Sequence, residues 1–487
     1  MMIDHDSVVR SNYRDQPEFE EKEGIALAGG PLSHMKSREN FNQHLLHPWA
    51  NLPALGKDDS TPQICRAKGV YLYDNSDHQL LDGPGGMWCM QVGYGRQEIA
   101  DAVSAQIMEL GYASTFSVFH PGETELAQKI ASVTPGDLNR IFFTTGGSTA
   151  VDAALRLCQL ANNIKGKPHR KHILCRQKGY HGSTYLAASV SGKERDKSAM
   201  DTDTENVHFL SAPDLSQSGQ NRTEEDFCDF LIEELESTIA SIGADNVMCF
   251  IAEPVMGSGG VIVPPADYNR RCWETVKSHG ILYIADEVVT GFGRLGHWFA
   301  SEAIFDVCPD IITFAKGVTS GYVPLGGFAV SDAVMAEISL DNADGYIFPT
   351  GYTWSANPVS CAAGLAVWDI IVNEQLLEHV REVAPYFQGK LQGLLELPLV
   401  KNVRGLGLMA AIELEAPDAI TGNTLLDRDY ALGELVDHYC YQFGLIVRPL
   451  INVCVLSPPL IITLEQIDEL ISKLKAGIEA AHNSLTG

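Results

Sequence analysis

Two apolar runs each end in an ionisable residue: Ile281-Leu282-Tyr283-Ile284-Ala285 leads into Asp286, and Ile311-Ile312-Thr313-Phe314-Ala315 leads into Lys316. Short apolar runs of this kind read as strands buried on both faces, and open parallel sheets bind ligands at the carboxyl ends of their strands. An acid and a primary amine delivered there face one site. A lysine can form a Schiff base with an aldehyde, and a carboxylate can keep a pyridine nitrogen protonated. Those are the two demands of pyridoxal phosphate. A third run, Cys249-Phe250-Ile251-Ala252, ends in Glu253. Taken singly, that glutamate reads equally well as a helix cap or a surface ion-pair residue. Three such strand ends together are much harder to ascribe to chance.

Phosphate needs a cradle. Ile141-Phe142-Phe143-Thr144 followed by Thr145-Gly146-Gly147-Ser148 and the pattern Thr149 to Leu157 reads as strand, glycine turn and helix. The glycines allow backbone N–H groups to approach an anion, Ser148 adds a hydroxyl, and the helix N-terminus contributes its dipole. Without the lysine and the acids, an ordinary strand-to-helix connection explains the turn as well. No Gly-Lys-Ser/Thr follows the glycines, which argues against a nucleotide P-loop. Tyr180-His181-Gly182 follows another apolar run, His172-Ile173-Leu174-Cys175, and offers an aromatic face that could stack on a flat cofactor.

The elements that must position these residues follow from periodicity. Residues 1–40 are polar and aperiodic and read as a mobile arm. Residues 41–85, which include a hairpin of Val70-Tyr71-Leu72-Tyr73 with Leu80-Leu81, read as a segment of a small domain. From 86 to 345 strand candidates alternate with helical patterns, the mark of a large α/β domain with a mostly parallel sheet and helices on both faces. Within it, Lys193 to Asn221 reads as a surface excursion with at most one strand, Val207-His208-Phe209-Leu210. Residues 346–487 read as a smaller α+β domain, with helical periodicity from Glu374 to Leu395, a strand from Leu408 to Leu414 and a last helix near Leu464 to Ala481.

Composition narrows the function classes. The 487 residues are 45% hydrophobic and 20% charged, ordinary for a globular chain, and the formal charge of −27 argues against a nucleic-acid or anionic-membrane partner. The N-terminal residues lack the basic and apolar segments of a signal peptide, and no apolar run is long enough to span a membrane, so a cytoplasmic location is expected. The eleven cysteines are scattered without a Cys-x-x-Cys pair, which points to buried free thiols rather than disulfides or a metal site.

From about Tyr71 to Thr463 these residues resemble the class III pyridoxal-phosphate aminotransferases of fold type I. The most specific segments are Ala285-Asp286-Glu287-Val288-Val289-Thr290-Gly291-Phe292-Gly293-Arg294 and Pro309-Asp310-Ile311-Ile312-Thr313-Phe314-Ala315-Lys316-Gly317. The resemblance implies that Lys316 is the Schiff-base lysine and Asp286 the partner of the pyridine nitrogen. It implies that Val288 and Tyr180 lie against the two ring faces, that Gly147 and Ser148, with Gly146 adjoining, hold the phosphate, and that Glu253 orients the polar network. Thr353 matches a threonine that reaches the phosphate of a second subunit, implying a homodimer with shared sites. Two departures touch this pattern: Thr149 stands where a glutamate is common, and Asn357 where a histidine often precedes the proline.

Resemblance extends less far to substrates. Arg404, in Val403-Arg404-Gly405-Leu406-Gly407-Leu408, matches an arginine that grips an acceptor's α-carboxylate. In branches handling ornithine or γ-aminobutyrate a glutamate at the Ser258 position pairs with it. Ser258 cannot do so, and the chain looks like the ω-amino acid or amine:pyruvate branch, running a ping-pong transfer from an amine donor to a keto acid. Trp88 would wall the substrate pocket, with plain core packing nearly as good a reading. A class III aminomutase and a lyase acting on phosphorylated amines remain alternatives. The donor itself, whether β-alanine, taurine, a diamine or a simple amine, stays open.

Overall fold

The computed structural model describes residues 44–49, 63–217, 222–338, 347–420, 422 and 424–486. The expected arm over residues 1–40 lies outside them. The chain divides into two units, Met1–Cys65 and Arg66–Gly487. Of the first, only residues 44–49 and 63–65 are described; the second holds every candidate residue.

The centre of that unit is a seven-stranded sheet. Its order is Arg140–Thr144, Gly326–Val330, Ile311–Phe314, Leu282–Asp286, Val247–Ala252, His172–Arg176 and Val207–Leu210. The last five strands pair in parallel, whereas Gly326–Val330 runs antiparallel to both of its neighbours. Val247–Ala252 and Ile311–Phe314 are buried at every position. Both sides of the sheet are therefore covered, as continuous apolar runs require. One core cluster holds Phe250, Tyr283, Ile312 and Phe314 with helix residues Leu231 and Leu235. A second holds Ile251, Ile284, Ile311 and Phe328 with Val151, Ala154 and Leu155. Successive residues of one strand thus enter different clusters, the alternation that strand geometry imposes.

Register delivers the chemistry. Ala252 pairs with Ala285 and Asp286 pairs with Thr313, so Glu253, Asp286 and Lys316 leave three adjacent parallel strands at the same edge. The helix Gly147–Ile164 begins beside that edge, directly after Arg140–Thr144.

Towards the C-terminus, Val400–Leu406, Met409–Leu414, Val453–Leu456 and Arg448–Leu450 form an antiparallel sheet. The helices Leu376–Gln392, Leu425–Gln442 and Leu464–Thr486 pack with it through Phe387, Val436 and Leu470. The hairpin of Tyr71–Asp74 with Gln79–Asp82 is present, and Leu445–Ile446 pairs in parallel beside its second strand. The excursion after Lys193 contains the strand Val207–Leu210, which closes one edge of the central sheet, and a short helix, Glu194–Lys197. All eleven cysteines are free, and eight of them are buried. Among the described residues no helix is long and apolar enough to cross a membrane.

Candidate active site

Lys316 opens a short 3₁₀ turn, Lys316–Thr319, and takes a left-handed backbone with φ 45°. Its Nζ lies 5.5 Å from the centre of the Trp88 ring. No hydrogen bond or ion pair holds that amine among the described residues. Burial pulls its pKa below the usual lysine range, and the charge of Asp286 partly offsets this. Trp88 is itself buried and left-handed, φ 57°, with its indole N–H unpartnered. A Cβ on Gly257 would stand 2.1 Å from the Trp88 ring, so glycine there is what lets the indole sit where it does.

Asp286 is buried and fully engaged. Its Oδ1 accepts from Thr313 Oγ1 at 3.0 Å and from the Val288 N–H at 3.2 Å, and its Oδ2 meets His181 Nδ1 at 2.6 Å. Glu253 accepts from the backbone N–H groups of Tyr180 at 3.0 Å and Gly257 at 2.9 Å. Burial raises its pKa; the His181 ring opposes that rise and the Asp286 charge adds to it. His181 therefore sits electrostatically between two buried carboxylates. Sequence reasoning singled out Tyr180 and passed over its neighbour; a histidine in a loop that follows a strand in the same sheet was the available signal.

The glycine turn opens a helix beside Val288. Gly146 precedes and Gly147 begins the helix, and a Cβ on Gly147 would meet Val288 Cγ1 at 3.0 Å. Ser148 Oγ accepts from the Ser183 N–H at 3.1 Å, which ties the turn to the Tyr180 loop. Thr149, one of the two departures, donates through Oγ1 to the Gly146 carbonyl at 2.9 Å and closes the turn locally. Tyr180 shares a hydrogen bond of 2.9 Å with Ser183, and the Lys193 ammonium stands 5.7 Å from its ring centre.

The structure thus gathers Lys316, Asp286, Glu253, Val288, Tyr180, Trp88 and the Gly146-Gly147-Ser148 turn. Two candidates stand apart. Thr353 is exposed, and no hydrogen bond links it to this cluster. Arg404 is committed elsewhere: Nε donates to the Gly260 carbonyl at 2.8 Å, and one terminal nitrogen donates to Glu413 at 2.6 Å and to Asn402 at 3.3 Å. Glu413 thus pairs with Arg404 across the strands Val400–Leu406 and Met409–Leu414. The second departure, Asn357, caps the helix Pro358–Asn373 by accepting from the N–H groups of Val359 and Ser360.

Residues 55–478 match the family model of class III aminotransferases. The chain belongs to the class III aminotransferases. It is 38% identical to the putrescine–pyruvate aminotransferase of Pseudomonas aeruginosa, over 91% of this chain and 96% of that protein. It is 34% identical to the chloroplastic gamma aminobutyrate transaminase 3 of Solanum lycopersicum, over 86% and 81% respectively. A solved (S)-enantioselective omega-transaminase from Thermomicrobium roseum superposes with a TM-score of 0.85 at 36% identity, covering 90% of this chain and 96% of that one. Class III aminotransferases depend on pyridoxal phosphate, and the fold is that of fold type I. The residues present suit that group: a half-buried amine without a partner, an oriented carboxylate, and a helix start lined by a residue without a side chain.

Proposed function

We propose that this aminotransferase moves an amino group from an ω-amino acid or a primary amine to a keto acid, with pyruvate as the acceptor, by a ping-pong mechanism. The observation that carries the reading is the half-buried Lys316 amine, unpaired beside Trp88 and next in line to Asp286 and Glu253. The relatives named for putrescine–pyruvate and omega transamination support the donor and acceptor classes.

Pyridoxal phosphate, when bound, supplies the aldehyde that takes up the amino group and a ring that accepts the electrons released as the substrate's Cα loses its proton. Gly146, Gly147 and Ser148 would hold its phosphate, Val288 and Tyr180 its ring faces, Asp286 its ring nitrogen, and Glu253 the loop that carries Tyr180. Lys316 Nζ would take the proton from substrate Cα. Its depressed basicity leaves a larger neutral fraction for that task near neutral pH. Trp88 would wall the pocket beside the amine and limit water. Arg404 would bind the acceptor's α-carboxylate after releasing Glu413.

Thr353 would complete the phosphate site of a second subunit, making the enzyme a homodimer with shared sites. Exposed aromatic residues near that loop favour a covered face: Phe116 is 71% and Trp354 59% accessible. We also infer a cytoplasmic location.

Borohydride reduction of the cofactor-loaded protein, followed by digestion and peptide mapping, tests the centre of this reading. Label should fall on the peptide containing Lys316, and Lys316→Ala should take none. Label on a different lysine refutes the assignment. A screen of amine donors against pyruvate, read as alanine formed, tests the substrate class.

A further inference from the structure

Trp88 owes its place beside Lys316 to a short segment that folds back on itself. Asp82 ends the strand Gln79–Asp82, and Tyr94 is fixed by a two-way backbone pair with Gly69, at 3.0 and 2.8 Å. Between these anchors the chain turns through Gly86 at φ 63° and Trp88 at φ 57°. A left-handed backbone is rare and strained for a residue as large as tryptophan, so the segment must be held in it by its surroundings.

Two side chains hold it. Asp82 Oδ2 accepts from the Tyr94 hydroxyl at 2.6 Å and from the Gly86 N–H at 2.8 Å, closing the segment at its base. Ser320 Oγ accepts from the N–H groups of Gln91 and Val92, at 2.8 and 3.0 Å, just beyond Trp88. Ser320 itself ends the Lys316–Thr319 turn in a left-handed conformation, φ 52°. The segment that carries the indole is therefore tied to the turn that carries the amine. Asp82 is only 1% exposed, yet its Oδ1 finds no hydrogen-bond partner among the described residues, and it makes no ion pair there. Burial raises its pKa, against the pull of its two donors and of the Arg294 charge. A buried acid with one oxygen unsatisfied costs stability rather than adding to it. Its use is geometric: it fixes the course of the chain from 82 to 94.

We propose that Asp82 and Tyr94 form a clasp that positions Trp88 and so sets which amine donors fit beside Lys316. They are specificity-determining residues that act through the indole. This rests on the reading of Lys316 as the reacting amine and of Trp88 as a wall of the donor pocket. With the clasp closed, a small donor packs on a fixed indole face and a bulky one is kept out. With it open, the indole gains freedom, the hold on small donors weakens, and room appears for larger ones.

The test uses the cofactor-loaded enzyme at saturating pyruvate and compares propylamine with benzylamine, a donor that carries a ring. Tyr94→Phe removes only the hydroxyl that closes the clasp. It should raise the KM for propylamine by about three- to tenfold, the loss expected for one hydrogen bond, and leave kcat within about twofold. The preference for propylamine over benzylamine, taken as the ratio of kcat/KM values, should fall by a similar factor. Asp82→Asn keeps a carbonyl oxygen for both donors and should stay within about threefold of the wild type, whereas Asp82→Leu should match or exceed the Tyr94→Phe defect. A double-mutant cycle separates positioning from support of the fold: in a Trp88→Ala background, Tyr94→Phe should no longer change the preference. An effect of equal size in both backgrounds overturns the proposal. So does an unchanged preference in the otherwise wild-type enzyme, or a Tyr94→Phe variant that loses kcat and cofactor affinity with the donor KM unmoved. If no amine yields alanine, the reading of the enzyme as an amine:pyruvate transferase fails, and the clasp is decided by acrylamide quenching of the Trp88 emission, obtained as the difference from Trp88→Phe. That quenching should be stronger in Tyr94→Phe than in its parent, and equal quenching refutes the clasp. Should Asp82→Leu fail to fold, Tyr94→Phe decides alone.

Discussion

His181 Nδ1 lies 2.6 Å from Asp286 Oδ2, with both side chains buried, and this contact fixes the orientation of that carboxylate. A carboxylate only accepts, so Nδ1 carries the hydrogen. Thr313 and the Val288 N–H hold the other oxygen. Asp286 is thus oriented before any ligand arrives, the arrangement in which an electrostatic partner contributes most to a transition state. Asp286→Ala should bind pyridoxal phosphate yet lose on the order of 10²-fold or more in turnover. His181→Leu should lose roughly tenfold, and His181→Asn, which keeps a donor, should recover much of it. Stopped-flow rates in each half-reaction measure this; equal rates for His181→Leu and wild type would remove His181 from the chemistry.

Arg404 is held by Glu413 at 2.6 Å and by the Gly260 carbonyl at 2.8 Å, so a keto-acid carboxylate bound there would have to compete with an existing pair. Glu413→Gln should free the guanidinium and lower the KM for pyruvate several-fold. Arg404→Ala should raise it about ten- to a hundredfold, the loss expected for one bidentate charge-assisted contact. Steady-state kinetics with pyruvate as the varied substrate separates the two. A Glu413→Gln enzyme with a higher KM would show that Glu413 positions Arg404 for the substrate rather than restraining it.

Much of this arrangement was legible in the chain. The strands ending at Asp286, Lys316 and Glu253 are continuous apolar runs, and burial on both faces leaves such runs little choice but the middle of a sheet. The turn at Gly146-Gly147-Ser148 drew its meaning from those strand ends, since an ordinary strand-to-helix connection explains such a turn as well when it stands alone. What stayed hidden depends on contacts between distant segments. Glu413 reads as one more acid on a strand until register places it diagonally across from Arg404. Gly257 shows its reason only when the Trp88 ring is found against it. Thr353 remains legible from resemblance alone, because it is exposed and no hydrogen bond links it to the Lys316 cluster.

The two close approaches at glycine should separate cofactor binding from substrate binding. A side chain at 147 would press on Val288, so Gly147→Val should weaken pyridoxal phosphate binding by at least tenfold, measured by fluorescence titration of the cofactor-free protein. Gly257→Ala would force the Trp88 ring to move, at a cost of about 1 to 3 kcal/mol in stability. It should alter tryptophan emission and donor KM while cofactor affinity changes little. If Gly257→Ala instead loses cofactor as Gly147→Val does, Trp88 supports the cofactor rather than walling the substrate.

Asp437 gives a prediction about stability that is independent of the active site. It lies in the helix Leu425–Gln442, next to Val436, which is packed in the C-terminal core. Burial, with a smaller push from Glu434, raises its carboxyl pKa from 3.8 to about 6. A carboxyl whose folded pKa exceeds its unfolded value holds its proton more tightly in the folded state. Its contribution is therefore most favourable below 3.8 and is lost as pH rises through about 6. At one pKa unit per 1.36 kcal/mol, and allowing for residual contact with water, the charged form should cost roughly 2 kcal/mol above that window. Asp437→Asn keeps the shape and removes the charge. In urea unfolding it should exceed the wild type by roughly 2 kcal/mol at pH 8, with the gap closing towards pH 4. A gap of the same size at both pH values would mean that the amide gains a contact of its own and that ionisation of Asp437 is not what strains the helix.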